Sequence, residues 1–295
     1  MRLRVSLWLV PAVAVLIWPA DAAPQSSGRG ETQAALLRLA TDSGVVGNYG
    51  FTTQETHTLA FDIAADDPRA SMLSTVAGTK KRTTKIAVTI VALPKEPNDD
   101  RRYLIYWLAY NLTGDGVRSL TPIQWDSIFQ AVGRRAILKV SPTGEPRGVN
   151  VTSDAVRPVG QAFALMLSGL ALDLPVDSVA PGATWQGQVA IPIQRPNGSR
   201  AMAPVQVTYR LRELSREPYG WIARIEFDGE PLPSDSLKAT GRYFGEAVFD
   251  AAAGRFDDVM ALAELEVEWP LDPSGLPPSR SFVTWQTVVT RTRTQ

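Results

Sequence analysis

The chain has no cysteine and a single histidine, His57, in 295 residues. Thiolate metal sites and thiol catalysis are therefore excluded. One histidine cannot build a histidine-rich metal centre, so only an oxygen-ligand site is open, and no metal or cofactor is expected. Without cysteine the fold must rest on its core rather than on disulfides, and a lipid-anchored lipoprotein, which needs a cysteine just after its signal, is excluded. Charge of one sign is lacking too: 30 basic residues face 30 acidic ones. Such balance argues against a nucleic-acid partner. There is no Gly-x-Ser-x-Gly elbow, phosphate loop or dinucleotide fingerprint, and Ser168 sits in an apolar stretch where a small packing residue is the natural reading. These absences point away from an enzyme.

Only one long apolar run is present, at the start. Met1-Arg2-Leu3-Arg4 is a short basic opening, residues 5–18 are apolar apart from Ser6 and Pro11, and Ala20-Asp21-Ala22 fits the small-x-small cleavage rule. The run is shorter than the roughly 20 residues a spanning helix needs. We read residues 1–22 as a signal peptide, with export to the periplasm or beyond. Cleavage after Ala22 would leave 28 basic and 29 acidic residues and no integral membrane span. Residues 23–48 read as a mobile N-terminal segment with a short helix over 31–41, placing Ala34, Leu37 and Thr41 on one side.

Residues 49–295 read as a single β-rich domain. Alternating runs predict strands over 49–63, 83–93, 102–112, 134–140, 146–151, 184–193, 205–213, 220–227, 237–249, 255–269 and 282–292. In 205–213, Val205, Val207, Tyr209 and Leu211 face one way, and Gln206, Thr208, Arg210 and Arg212 the other. The 102–112 run is apolar on both faces and is expected to be covered on both. Asp66-Asp67-Pro68 resembles a helix start. The one long helix is expected at 157–174, from Pro158 to a stop at Pro175, with Val159, Phe163, Met166, Leu167, Leu170 and Leu174 on one face. With the loop 175–183 it joins two β halves. The fold expected is mainly β: a large curved antiparallel sheet of about eleven strands, half-barrel-like, with one central helix packed on it.

Several polar features have ordinary expected roles. His57 lies in a polar run and should be an exposed strand residue. The pairs Asp66-Asp67, Asp99-Asp100 and Asp257-Asp258 fall at expected turns, where solvation is the default, and Lys80-Lys81-Arg82 reads as a solvated turn. Glu264, Glu266 and Glu268 form a like-charged strand face that would guard a sheet edge. Trp107, Trp125, Trp185, Trp221, Trp269 and Trp285 survive signal cleavage and are mostly core, though pockets are also lined by such rings. The candidates for an apolar ligand groove are Phe163, Leu167, Leu170, Trp107 and Trp185.

Leu172-Asp173-Leu174-Pro175 with Pro181-Gly182-Ala183-Thr184-Trp185, the stretch 241–250 and Lys139-Val140-Ser141-Pro142-Thr143-Gly144-Glu145 resemble a group of uncharacterised exported bacterial β-rich proteins. In that group a Leu-Pro…Pro-Gly-x-x-Trp link joins two β halves. These motifs are structural and carry no catalytic residues across. The strand count also resembles the half-barrel of Lol-type lipoprotein carriers. Taken together, the residues predict a non-catalytic periplasmic protein that binds a hydrophobic small molecule or an acylated protein. A structural envelope scaffold acting through protein contacts is the alternative, and a hydrolase without a recognisable motif is third.

Overall fold

Eleven strands form one antiparallel sheet in a computed structural model. It describes residues 34–39, 44–64, 66–94, 96–97, 100–115, 132–133, 135–151, 172–198, 200–233, 237–270 and 276–292. The strands are β1 Gly44–Phe61, β2 Gly78–Leu93, β3 Arg101–Gly114, β4 Arg135–Val140, β5 Pro146–Val151, β6 Thr184–Gln194, β7 Arg200–Glu217, β8 Gly220–Pro231, β9 Lys238–Asp250, β10 Arg255–Trp269 and β11 Ser279–Thr292. One short helix, α1 Ala70–Ser74, lies between β1 and β2. Asp67 prepares it by accepting the main-chain N–H of Arg69 at 2.8 Å, an Asx-type turn.

The sheet is mainly β, open and curved, as the alternation predicts. Its order is β5-β4-β3-β2-β1-β11-β10-β9-β8-β7-β6. Two meanders, β1–β5 and β6–β11, thus meet through the pairing of β1 with β11, and β5 and β6, consecutive in the chain, end up as the two edges. β1 and β11 pair from Asn48–Thr292 to Phe61–Ser279 without a register shift.

Period two puts one face of every long strand inside. On β7, Ala203, Val205, Val207, Tyr209 and Leu211 are fully buried while Thr208, Arg210 and Arg212 are exposed. On β10 the inside set is Val259, Ala261, Ala263, Leu265, Val267 and Trp269. The outer face is polar and cross-linked by ion pairs between neighbouring strands, Arg212 with Glu226 and Arg242 with Asp228 among them.

Several expectations change. On β3 the buried residues are Arg101, Tyr103, Ile105 and Trp107, all on one face. Leu108 is 54% exposed, so that strand is covered on one face alone; its second apolar set is half-wet outer surface. Lys80, Lys81 and Arg82 are in β2, not a turn, because the β1 alternation continues the pairing back to Gly78. Glu264, Glu266 and Glu268 do face outward, but β10 is an interior strand with β9 and β11 on either side, so they guard no edge; Arg280 balances Glu266 and Glu268 instead. The described part of the expected 31–41 helix, residues 34–39, is not helical; Ala35 forms an isolated bridge with Val179. The signal peptide and all but the last three residues of the expected 157–174 helix lie outside the described residues. Leu172, Asp173 and Leu174 are not helical, because they are tied across the sheet edges and Pro175 disfavours helical dihedrals at Leu174.

Candidate functional site

The inner face is the one place where the fold gathers apolar surface from nearly every strand. Four rings form a row across it. Trp185 of β6 stacks on Tyr209 of β7, with centroids 5.7 Å apart and planes at 19°. Tyr209 is 6.0 Å from Phe227 of β8, which stacks on Tyr243 of β9 at 5.2 Å. Register produces the row: Trp185 is opposite Tyr209, and Tyr209 opposite Phe227. Phe227 then lies opposite Gly245, where a side chain would run into the ring and into the Met260 carbonyl, so Tyr243 two residues away takes the next place. Burial raises the Tyr209 and Tyr243 hydroxyls far above their ordinary range.

Trp107 and Trp185 are set differently within this face. Trp107, on β3, is 1% exposed and belongs to the buried cluster. Trp185 is half-buried, packs against the same cluster, and donates its indole N–H to the Asp173 carbonyl at 2.5 Å. Phe163, Leu167 and Leu170 lie outside the described residues.

A polar stripe runs down the middle of the apolar face, on β1 and β11. Thr53 and Thr287 share a buried hydrogen bond of 3.0 Å. The Trp269 indole N–H donates to Ser281 Oγ at 2.8 Å. His57 is buried, not exposed: odd positions of β1 face in, and it stands opposite Val283. Its Nε2 has no hydrogen-bond partner among the described residues, and burial lowers its pKa against the opposing pull of Glu55. Glu55 itself pairs with Arg82 at 2.5 Å. Toward the far end of the same strands, Asp257 lies in a β-bulge of β10 and pairs with Arg291 at 2.6 Å and Arg255 at 3.7 Å. Asp257 is therefore buried between cations and not a solvated turn residue. Nearby, the Tyr49 hydroxyl donates to the Phe256 carbonyl at 2.9 Å, and burial pushes its pKa up to about 12.

Among the described residues, two segments outside the sheet lie against the inner face, besides Leu237 in the β8–β9 connection. One is the strap 172–179, which inserts Leu172, Leu174 and Val179; the other is the arm 34–39, which inserts Leu37. The strap joins the two sheet edges. Leu174 donates its N–H to Thr143 O at 2.7 Å in the β4–β5 turn. The Asp173 carboxylate accepts the Gln188 N–H of β6 at 2.9 Å, and burial raises its pKa. Gly187 makes room for it, since a Cβ there would lie 2.6 Å from the Asp173 Cβ. At the other end of the strands, Asp62, Leu237, Lys238, Trp269, Pro278, Ser279 and Arg280 are among the residues lining a cleft of about 370 Å³. Among the described residues no group of three histidine, aspartate or glutamate side chains is placed to hold a metal.

Sequence reasoning placed Trp107 and Trp185 on strands but missed Tyr209, Phe227 and Tyr243 as a row, missed Asp257 and His57 as buried polar groups, and missed Asp173 as a half-buried one. The inward alternation of β7 pointed to Tyr209; the others depend on register and bulges, which leave no local signal.

No protein-family model matches the chain, and no curated protein matches it. Among solved structures it is similar to a lipovitellin chain, from a structure on lipid–protein interactions in lipovitellin. The TM-score is 0.44 and the identity 11%, over 87% of this chain and 26% of that one. The chain thus spans about a quarter of the lipovitellin chain's length. It is also similar to DynF from the dynemicin biosynthesis pathway of Micromonospora chersina, with a TM-score of 0.23 and 10% identity over 93% of this chain and 94% of that one. Likeness at these levels carries no argument about a ligand.

Proposed function

We propose that the protein is a non-catalytic periplasmic binder of a lipid-like or other hydrophobic ligand, held on the inner face of the sheet. One observation carries the reading: an open sheet presents a near-continuous apolar face, and among the described residues outside the strands only the strap 172–179, the arm 34–39 and Leu237 of the β8–β9 connection insert buried hydrophobic side chains into it. Most of the area is apolar and aromatic, and the few polar groups, among them His57 and the Thr53–Thr287 pair, converge on a central stripe, the usual composition of a small-molecule site. Trp107 and Trp185 would form walls, and the sequence pattern of Phe163, Leu167 and Leu170 assigns them to the same groove. The ligand class includes a free hydrophobic small molecule and the chain of an acylated protein.

The test is native mass spectrometry of protein released gently from its own compartment, with a thermal melt before and after delipidation. A co-purifying lipid mass and a melting temperature that falls on delipidation are expected. A clean apo mass and an unchanged melt would remove the reading. A second reading, an envelope scaffold with a filled core, is favoured by the near-zero exposure of Trp107, Tyr209, Tyr243 and Phe249, and that outcome would leave it standing.

A further inference from the structure

We infer that the arm 34–39, through Leu37, occupies the place that a ligand's acyl chain takes, so that arm and chain compete for one site. This rests on the ligand-binding reading above and names the class of ligand, one long unbranched acyl chain.

Leu37 is 0% exposed and lies in the same buried cluster as the inner-face residues of the sheet. Leu39 reaches further, against both that cluster and the smaller one of Ala92, Tyr103 and Val140. The arm therefore lays aliphatic side chains along the inner face as a single extended thread. Six residues span at most about 20 Å, the scale of a long-chain fatty acid.

What holds the arm differs from what holds everything else on that face. Each strand is paired in the sheet's ladder, and the strap is anchored at both edges. The arm's hydrogen bonds to the described residues go to the strap alone. Ala35 and Val179 exchange reciprocal N–H···O bonds, each 2.9 Å. The Arg38 guanidinium donates to the carbonyls of Pro175 and Val176, besides its neighbour Leu37 O at 3.0 Å. None of these bonds crosses to a strand. Released, the same polar groups can be hydrated, and an entering acyl chain would restore the apolar contacts that Leu37 and Leu39 give up. Occupation by the arm lowers the fraction of binding-competent protein, and apparent affinity falls by that fraction.

The absence of cysteine makes a clean test available. Ala35 and Val179 form a hydrogen-bonded antiparallel pair, for which a Cα separation of about 5.5 Å is usual, within disulfide range. The variant Ala35→Cys/Val179→Cys is titrated with cis-parinaric acid, oxidised and reduced, beside wild type. Oxidised protein is expected to bind at least tenfold more weakly than the same protein reduced, with wild type indifferent to reductant. Arg38→Ala, which removes only the guanidinium grip, should bind about three- to tenfold more tightly. Palmitate and a palmitoylated peptide are then compared as competitors. Displacement by palmitate assigns a free fatty acid, and displacement by the peptide alone assigns a chain carried on a larger molecule. Equal binding by the oxidised and reduced forms, with Arg38→Ala unchanged, would overturn the competition while leaving ligand binding intact. Failure of wild type and the reduced form to bind parinaric acid would instead sink the binding reading, and this inference with it.

Discussion

Asp257 is an acid buried between Arg291 and Arg255, and removing its charge takes from Arg291 its 2.6 Å partner in a poorly hydrated place, while Arg255 keeps Asp250 at 3.6 Å. Asp257→Asn should cost about 3–5 kcal/mol, the range for breaking a buried pair from one side. Urea unfolding of wild type and variant checks this; a loss below about 1 kcal/mol would mean water reaches the cluster. His57 contributes in its neutral form. Burial lowers its folded pKa below the unfolded value of 6.5, so the unfolded chain binds the proton more readily. Its contribution is complete above about pH 6.5 and is lost as pH falls through that value toward the folded pKa. Melting temperatures between about pH 5.5 and 7.5 should decline toward acid in wild type and decline less in His57→Gln. Parallel profiles would show that His57 is not held neutral inside.

At the scale of elements, the inner aromatic row depends on glycines that let strands carry large rings on neighbouring positions. A Cβ at Gly245 would lie 2.5 Å from the Phe227 ring and meet the Met260 carbonyl of the next strand. Backbone cannot retreat without loosening the β9–β10 ladder, so Gly245→Ala should destabilise by about 3 kcal/mol, as overpacking does. Calorimetry decides it, and a neutral result would mean that β9 and β10 shift freely. The free edge of β6 is blunted by two groups. Pro192 offers no N–H, and the Asp173 carboxylate covers the N–H of Gln188. That β6 is an edge, and that Asp173 reaches it from 15 positions away, came only with the tertiary structure.

Across the whole molecule, stability should be graded from the middle of the sheet outward. β1, β11 and β10 are long and paired on both sides, whereas β4 and β5 have six residues each and β5 is an edge. Native-state hydrogen exchange should place β1, β10 and β11 near the global unfolding free energy, and β4, β5 and the bridge Ala35–Val179 well below it. Uniform protection from centre to edge would contradict this. If arm and ligand compete as proposed, the bridge expected to be among the less protected is the one that joins the arm to the strap.

By itself the sequence determined the class of fold and the inventory of strands, because side-chain alternation at period two is a local property written in consecutive residues. It also marked turns such as Ser141–Glu145, where the Ser141 hydroxyl accepts the Glu145 N–H at 3.0 Å. Only the tertiary structure decided that β1 joins β11 and that β5 and β6 become the two edges, since that pairing links residues more than 200 positions apart. The inward placing of His57 and of Asp257 followed from that pairing and from one bulge in β10. A strand's alternation separates two faces but does not say which one the rest of the chain will cover. That choice comes from the curvature of the whole sheet and from the segments that cross its open side.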